Sequence, residues 1–148
     1  MASSKRFSAI ILMAVAVAAT AGCGGEFQLA SVSGVVTLDG EALANASLYF
    51  QPQRRGDDPL VGPPSIGVTD SEGRFTLTTA DGDRGAVVGM HRVSVSTFES
   101  RMVDPQNSDR VEVVSEERVP TRYRARTELS FEVPSGGSKD ANFALRNS

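Results

Sequence analysis

Gly89-Met90-His91-Arg92-Val93-Ser94-Val95-Ser96-Thr97-Phe98 alternates without interruption: His91, Val93, Val95 and Thr97 fall on one side of an extended chain, Arg92, Ser94, Ser96 and Phe98 on the other. Successive side chains of a strand point to opposite faces, so a period of two carrying valines on one side predicts a half-buried β-strand. Upstream, Val32 to Leu38 is a β-rich run that ends at Asp39-Gly40. That dipeptide supplies the positive φ angles of a type I′ hairpin turn. The run from Ala44 or Asn45 to Gln51 is then expected as the returning strand, with Ala46, Leu48 and Phe50 on one face and Ser47, Tyr49 and Gln51 on the other.

The same pattern recurs on both sides. Gln53 to Pro64 holds Arg54, Arg55, Gly56, Asp57, Asp58 and three prolines, so an exposed loop is expected there. Gly67-Val68-Thr69 leads into Asp70-Ser71-Glu72-Gly73, a tight turn whose opening carboxylate can accept N–H bonds from residues two and three ahead. Arg74 to Thr79 leaves it with Phe75 and Leu77 on one side, completing a second expected hairpin. Residues 99–126 read as an irregular crossing with a short strand at Arg110 to Val114. Leu129 to Val133 is again of period two, and Ala141 to Leu145 closes the chain with Phe143 and Leu145 inward. No segment outside the N-terminus has a 3.6-residue period of useful length. About seven strands with turns at short intervals predict an all-β fold, a single antiparallel β-sandwich.

The N-terminus is of another kind. Lys5 and Arg6 precede an apolar run from Phe7 to Ala19, and small residues then lead to Cys23, the sole cysteine. The apolar run of about 13 residues is shorter than a bilayer span requires and has the layout of a cleaved signal peptide. Thr20-Ala21-Gly22-Cys23 resembles a lipobox, with Thr20 where that pattern prefers leucine; the resemblance implies cleavage between Gly22 and Cys23 and diacylglycerol and an acyl chain such as palmitate on Cys23. Ala19-Thr20-Ala21 also fits the A-x-A rule of ordinary signal peptidase, which would release a soluble periplasmic or extracellular protein. The expected organisation is signal peptide 1–22, lipid-anchored tether 23–30 and one domain over 31–148. Gly24 carries no acidic retention signal, which by resemblance to characterised lipoproteins implies the outer membrane, facing periplasm or surface.

The residues available for chemistry are few. From Cys23 onward there are 126 residues, enough for one core. Losing Lys5 and Arg6 with the leader takes the formal charge from −3 to −5, which argues against nucleic acid as a partner. With one cysteine, no disulfide can form within the chain, and with one histidine, Ser-His-Asp, Cys-His and multi-histidine metal sites lack members. His91 sits in the inward alternation and reads as a core residue. Asp57-Asp58 and Asp81-x-Asp83 offer oxygen ligands but lack the spacing of a calcium-binding hand loop. No cofactor, metal or catalytic residue is expected. The cations Arg54, Arg55, Arg122 and Arg124, with Tyr123, form a candidate binding set for a glycan or peptide, although Glu116, Glu117 and Glu128 offset the later ones.

Three stretches carry a resemblance to a known family. Residues 32–46 (VSGVVTLDGEALANA), 67–77 (GVTDSEGRFTL) and 89–95 (GMHRVSV) resemble, in order and spacing, the carboxypeptidase regulatory-like, transthyretin-like family of seven-stranded sandwiches. The resemblance spans roughly Ser31 to Leu145, and Val119-Pro120-Thr121-Arg122-Tyr123 followed by Leu129 to Val133 is similar to the late segment of bacterial lipoproteins carrying such a domain. His91 stands where the family has an aromatic ring. The hydrolase of 5-hydroxyisourate among the transthyretin-like proteins uses several histidines and a C-terminal Tyr-Arg-Gly-Ser, whereas this chain ends Leu145-Arg146-Asn147-Ser148. The resemblance therefore implies a non-catalytic envelope module, anchored to the membrane through Cys23, whose loops meet an envelope protein or glycan.

Overall fold

In the computed structural model the period-two runs become strands, each burying the face its apolar residues occupy. Residues 27–107 and 109–148 are described; the leader, the cleavage site at Gly22 and Cys23, and the lipidation site lie outside them. The strands are β1 (Leu29–Ala30), β2 (Ser33–Leu38), β3 (Glu41–Ala42), β4 (Ser47–Pro52), β5 (Ser65–Val68), β6 (Arg74–Thr76), β7 (Thr78–Thr79), β8 (Ala86–Val87), β9 (Gly89–Ser96), β10 (Glu99–Met102), β11 (Val111–Ser115), β12 (Ser130–Val133) and β13 (Phe143–Leu145). One 3-10 turn, Thr121–Tyr123, accompanies them. Among the described residues no helix is long and apolar enough to cross a membrane.

Two sheets share one core. The first is antiparallel in the order β12-β9-β4-β5-β7; the second is built on β2, with β13 along one edge and β6, then β3, along the other. Val36 and Leu38 from β2, Leu48 and Phe50 from β4, Val93 and Val95 from β9, and Phe143 and Leu145 from β13 belong to a single buried cluster, giving a sandwich-like layering. Phe50 stands at its centre, with the rings of Phe75, His91, Phe131 and Phe143 between 5.9 and 6.3 Å away.

Four pairings depart from the sequence expectations. Asp39 and Gly40 do take positive φ (52° and 85°), but the returning strand is the two-residue β3, while β4 joins the other sheet between β5 and β9. The exit is enforced by Asn45, itself at φ 55°, and by the buried Thr69 hydroxyl, which accepts the Ala46 N–H at 2.8 Å and donates to the Leu43 carbonyl at 2.6 Å. The run after the Asp70 turn also divides. β6 pairs with β2, β7 pairs with β5, and between them the Leu77 N–H donates to the Val32 carbonyl as the chain changes sheets. Asp70 accepts from the N–H groups of Glu72 and Arg74, two and four residues ahead, both at 2.9 Å. The last strand, β13, runs parallel to β2, so the sheets are not wholly antiparallel. Finally, the short strand expected at Arg110 to Val114 is present as β11, but it pairs with β10 in an ordered hairpin where the sequence predicts the rest of the stretch to be irregular, with an exposed Arg101–Glu112 pair at 3.2 Å across it.

Candidate functional site

The N-terminal end of the body is pinned by backbone pairing. Leu29 and Ala30 lie opposite Val87 and Ala86, and the Val88 N–H donates to the Gln28 carbonyl at 2.9 Å. Residues 53–64 fold back over this pair. A Cβ on Gly62 would come within 3.0 Å of the Phe27 ring and 2.8 Å of Val87, so only glycine allows that approach. Arg55 is part of the same packing: its guanidinium donates to the Val88 carbonyl at 2.9 Å and lies across Gly89, where a Cβ would sit 2.8 Å from it. Arg54 beside it is exposed.

The other predicted cations lie elsewhere. Glu117 clasps the end of β9: it accepts the Ser96 hydroxyl, the Thr97 N–H at 3.0 Å and its own loop's Val119 N–H at 2.9 Å. Burial pushes its carboxyl upward, but these hydrogen bonds together outweigh burial and hold it below the ordinary carboxylate value. From this clasp the chain crosses the outer face of the first sheet. Arg122 stacks over the Tyr123 ring at 4.8 Å and donates to the carbonyls of Arg146 and Ser148, securing the C-terminal segment. Arg124 turns to the sheet, where it, Tyr49, Phe98, Ser94 and Glu117 line a groove of about 500 Å³. Its Nη2 donates to the Thr121 hydroxyl at 2.6 Å, while its buried Nε has no partner among the described residues.

The five predicted binding residues thus occupy three places. Arg54 and Arg55 stand near the start of β9, Arg124 near its end, and Arg122 with Tyr123 at the chain terminus. An eight-residue strand is about 25 Å long, too far for the two ends to grip one small ligand. Glu117, Tyr49 and Phe98 join Arg124 in its groove, and in the sequence only the outward alternation of Tyr49 and Phe98 points to it. A second groove, about 560 Å³, runs over the outer side of β2 and β6 between Arg84 and Lys139 and includes Ser33, Thr76 and Ser138. It gathers four separated segments, which no local pattern announces. Among the described residues, no group of three or more His, Cys, Asp or Glu side chains comes together as a metal site.

His91 is fully buried against Phe50, with its Nδ1 3.0 Å from the Gly89 carbonyl and its Nε2 unpartnered among the described residues. Nδ1 is therefore assigned as the protonated, donating nitrogen of a neutral imidazole. Burial lowers its pKa, the Gly89 bond acting the other way. Above the ordinary value of about 6.5 the ring is neutral in both folded and unfolded chains and contributes no pH dependence. Below it the unfolded chain takes up a proton that the core refuses, so stability falls by up to about 1.4 kcal/mol per pH unit until the folded pKa is reached. With one histidine in the chain, His91→Phe should flatten urea-denaturation stability between about pH 6.5 and 5.5. An unchanged slope would exclude His91 as its source.

No family model matches the sequence, and no curated protein matches it. Among solved structures, the chain is similar to a crystal structure of a 9R-lipoxygenase from Cyanothece PCC8801, at 15% identity and a TM-score of 0.35. That likeness covers 80% of this chain and 16% of the lipoxygenase, and at such a score it carries no argument about fold or activity.

Proposed function

We propose that this chain is a bacterial lipoprotein in which Cys23 carries the lipid and a transthyretin-like sandwich serves as a non-catalytic interaction module of the cell envelope. The observation that carries the reading is the closeness in sequence of Cys23 to the pinned start of the body: Phe27, four residues beyond Cys23, already packs over Gly62. A lipidated cysteine so placed would hold the domain directly at a membrane. One acyl chain binds a bilayer only marginally, whereas two or three anchor stably, each buried methylene contributing about 0.8 kcal/mol. The family reading is supported by the order of elements, since the three resembling stretches contain β2, the Asp70 turn with β6, and β9. The grooves beside Arg124 and between Arg84 and Lys139 are the surfaces offered to an envelope glycan or protein.

Cys23→Ser tests the anchor. Expressed with its own leader, the wild-type chain should sediment with membranes and Cys23→Ser should move to the soluble periplasmic fraction. Intact mass of the extracted wild type should show a chain beginning at Cys23 with acyl chains. Equal membrane partitioning of the two, or an unacylated chain beginning at Gly22, would refute lipidation and favour release by ordinary signal peptidase.

A further inference from the structure

Resting on the Cys23 anchor, we propose that residues 53–64 together with Met90 form a membrane-seating surface that lies against the phospholipid headgroups. The argument is one of length. Four Cα steps separate Cys23 from Phe27, so the two are at most about 14 Å apart. The headgroup region on each side of a bilayer is about 6 Å thick. Once the acyl chains of Cys23 are in the hydrocarbon, whatever surrounds Phe27 is held within one loop's reach of that layer.

Around Phe27, apolar side chains are partly uncovered. Leu60, Val61, Val88 and Met90 line a hollow of about 220 Å³ with it, and Gln53, Arg55 and Asp58 supply its polar side. Leu60 is 52% exposed and Met90 45%, so each leaves about half its side chain in water. The loop is braced to present them: Asp58 accepts the Leu60 N–H at 2.9 Å through its carboxylate and donates its own N–H to the Arg55 carbonyl, and Pro59, Pro63 and Pro64 restrict the backbone. Arg54 and Arg55 are balanced by Asp57 and Asp58, so the contact is apolar seating rather than attraction to anionic lipid.

Exposure alone does not select this surface. The β10–β11 hairpin is also apolar, with Met102 62%, Val111 52% and Val113 54% exposed. It leaves the far end of β9, about 25 Å from Gly89 by strand length. The tether enters at the near end, where β1 pairs with β8, and so singles out Leu60 and Met90.

The absence of tryptophan makes the test direct. Leu60→Trp and Met102→Trp are introduced singly into the full-length gene, and the protein is extracted from cells and reconstituted into phosphatidylcholine vesicles containing lipid brominated near the headgroup. Mass at Cys23 reports separately on the anchor. Where the thiol is free, it is coupled to a maleimide phospholipid, so that the seating is measured in either case. The Leu60→Trp emission should move to the blue and be several-fold weaker than in unbrominated vesicles, while Met102→Trp stays unquenched. Met90→Trp serves as a second reporter and should follow Leu60→Trp. Unquenched emission from the near-end reporters, or equal quenching at both ends, would overturn the proposal.

Discussion

Phe50→Ala should destabilise the domain by about 3–5 kcal/mol, the range for removing a large aromatic from a packed core. Phe50 has no exposed surface, and its ring is the common neighbour of Phe75, His91, Phe131 and Phe143. Those rings come from both sheets, His91 and Phe131 from the first and Phe75 and Phe143 from the second, so no single one can move to fill the space without pulling its own strand. A domain of this size has about 5–15 kcal/mol in total, and the loss consumes a large part of it. Urea denaturation should show a lower midpoint with an unchanged slope. Phe98→Ala is the matched control: Phe98 is 51% exposed, and its loss should cost less than about 1 kcal/mol. If both substitutions cost the same, the ring cluster around Phe50 is not the centre of the core.

Gly34→Ala is expected to cost about 3 kcal/mol or more, for a different reason. A Cβ at position 34 would lie 2.0 Å from the Ala141 carbonyl oxygen and 2.9 Å from its Cα, both backbone atoms with no rotamer to retreat into. Strand β2 and the segment leading into β13 would have to separate by more than 1 Å to reach ordinary contact. That movement strains the Ala141 N–H bond to the Ser33 carbonyl (3.1 Å) and the Val35 N–H bond to the Asn142 side chain (2.9 Å), each worth about 1 kcal/mol, in addition to the 1–3 kcal/mol typical of overpacking. Gly136→Ala, where a Cβ meets nothing within 4 Å and φ is not positive, should change stability by less than about 0.5 kcal/mol. Thermal melting separates the two readily, and equal melting temperatures would show that β13 does not pack this closely on β2.

The faces of the strands were legible because burial in a strand follows a local rule. Leu48 and Phe50, Phe75 and Leu77, His91, Val93 and Val95, and Phe143 and Leu145 are all buried on the side the alternation assigns. The turns were legible for the same reason: Asp39-Gly40 and Asp70 to Gly73 carry their own φ angles and hydrogen-bond acceptors. Candidate binding residues were less so. Arg54 and Arg55 stand one after the other, as Arg122 and Arg124 nearly do, and adjacency in the chain does not make them adjacent in one site. In the fold Arg55 braces a loop, Arg122 holds the C-terminus and Arg124 reaches the sheet.

The sequence by itself determined the all-β class, the inward and outward residues of the main strands, and the solitary standing of Cys23 and His91, since each depends on residue type and short-range spacing. Only the tertiary structure decided which strand lies beside which: that β4 leaves its expected partner for β5 and β9, that β6 and β7 belong to different sheets, and that β13 runs parallel to β2. A period of two says which way a side chain faces but not what backbone lies alongside, because pairing partners far apart in sequence are chosen by the shape of the whole core. The same holds for the surfaces. Leu60 and Met90 come together beside Phe27, and Arg84 and Lys139 face one groove, only because β1, β6 and β8 bring distant segments to the same places.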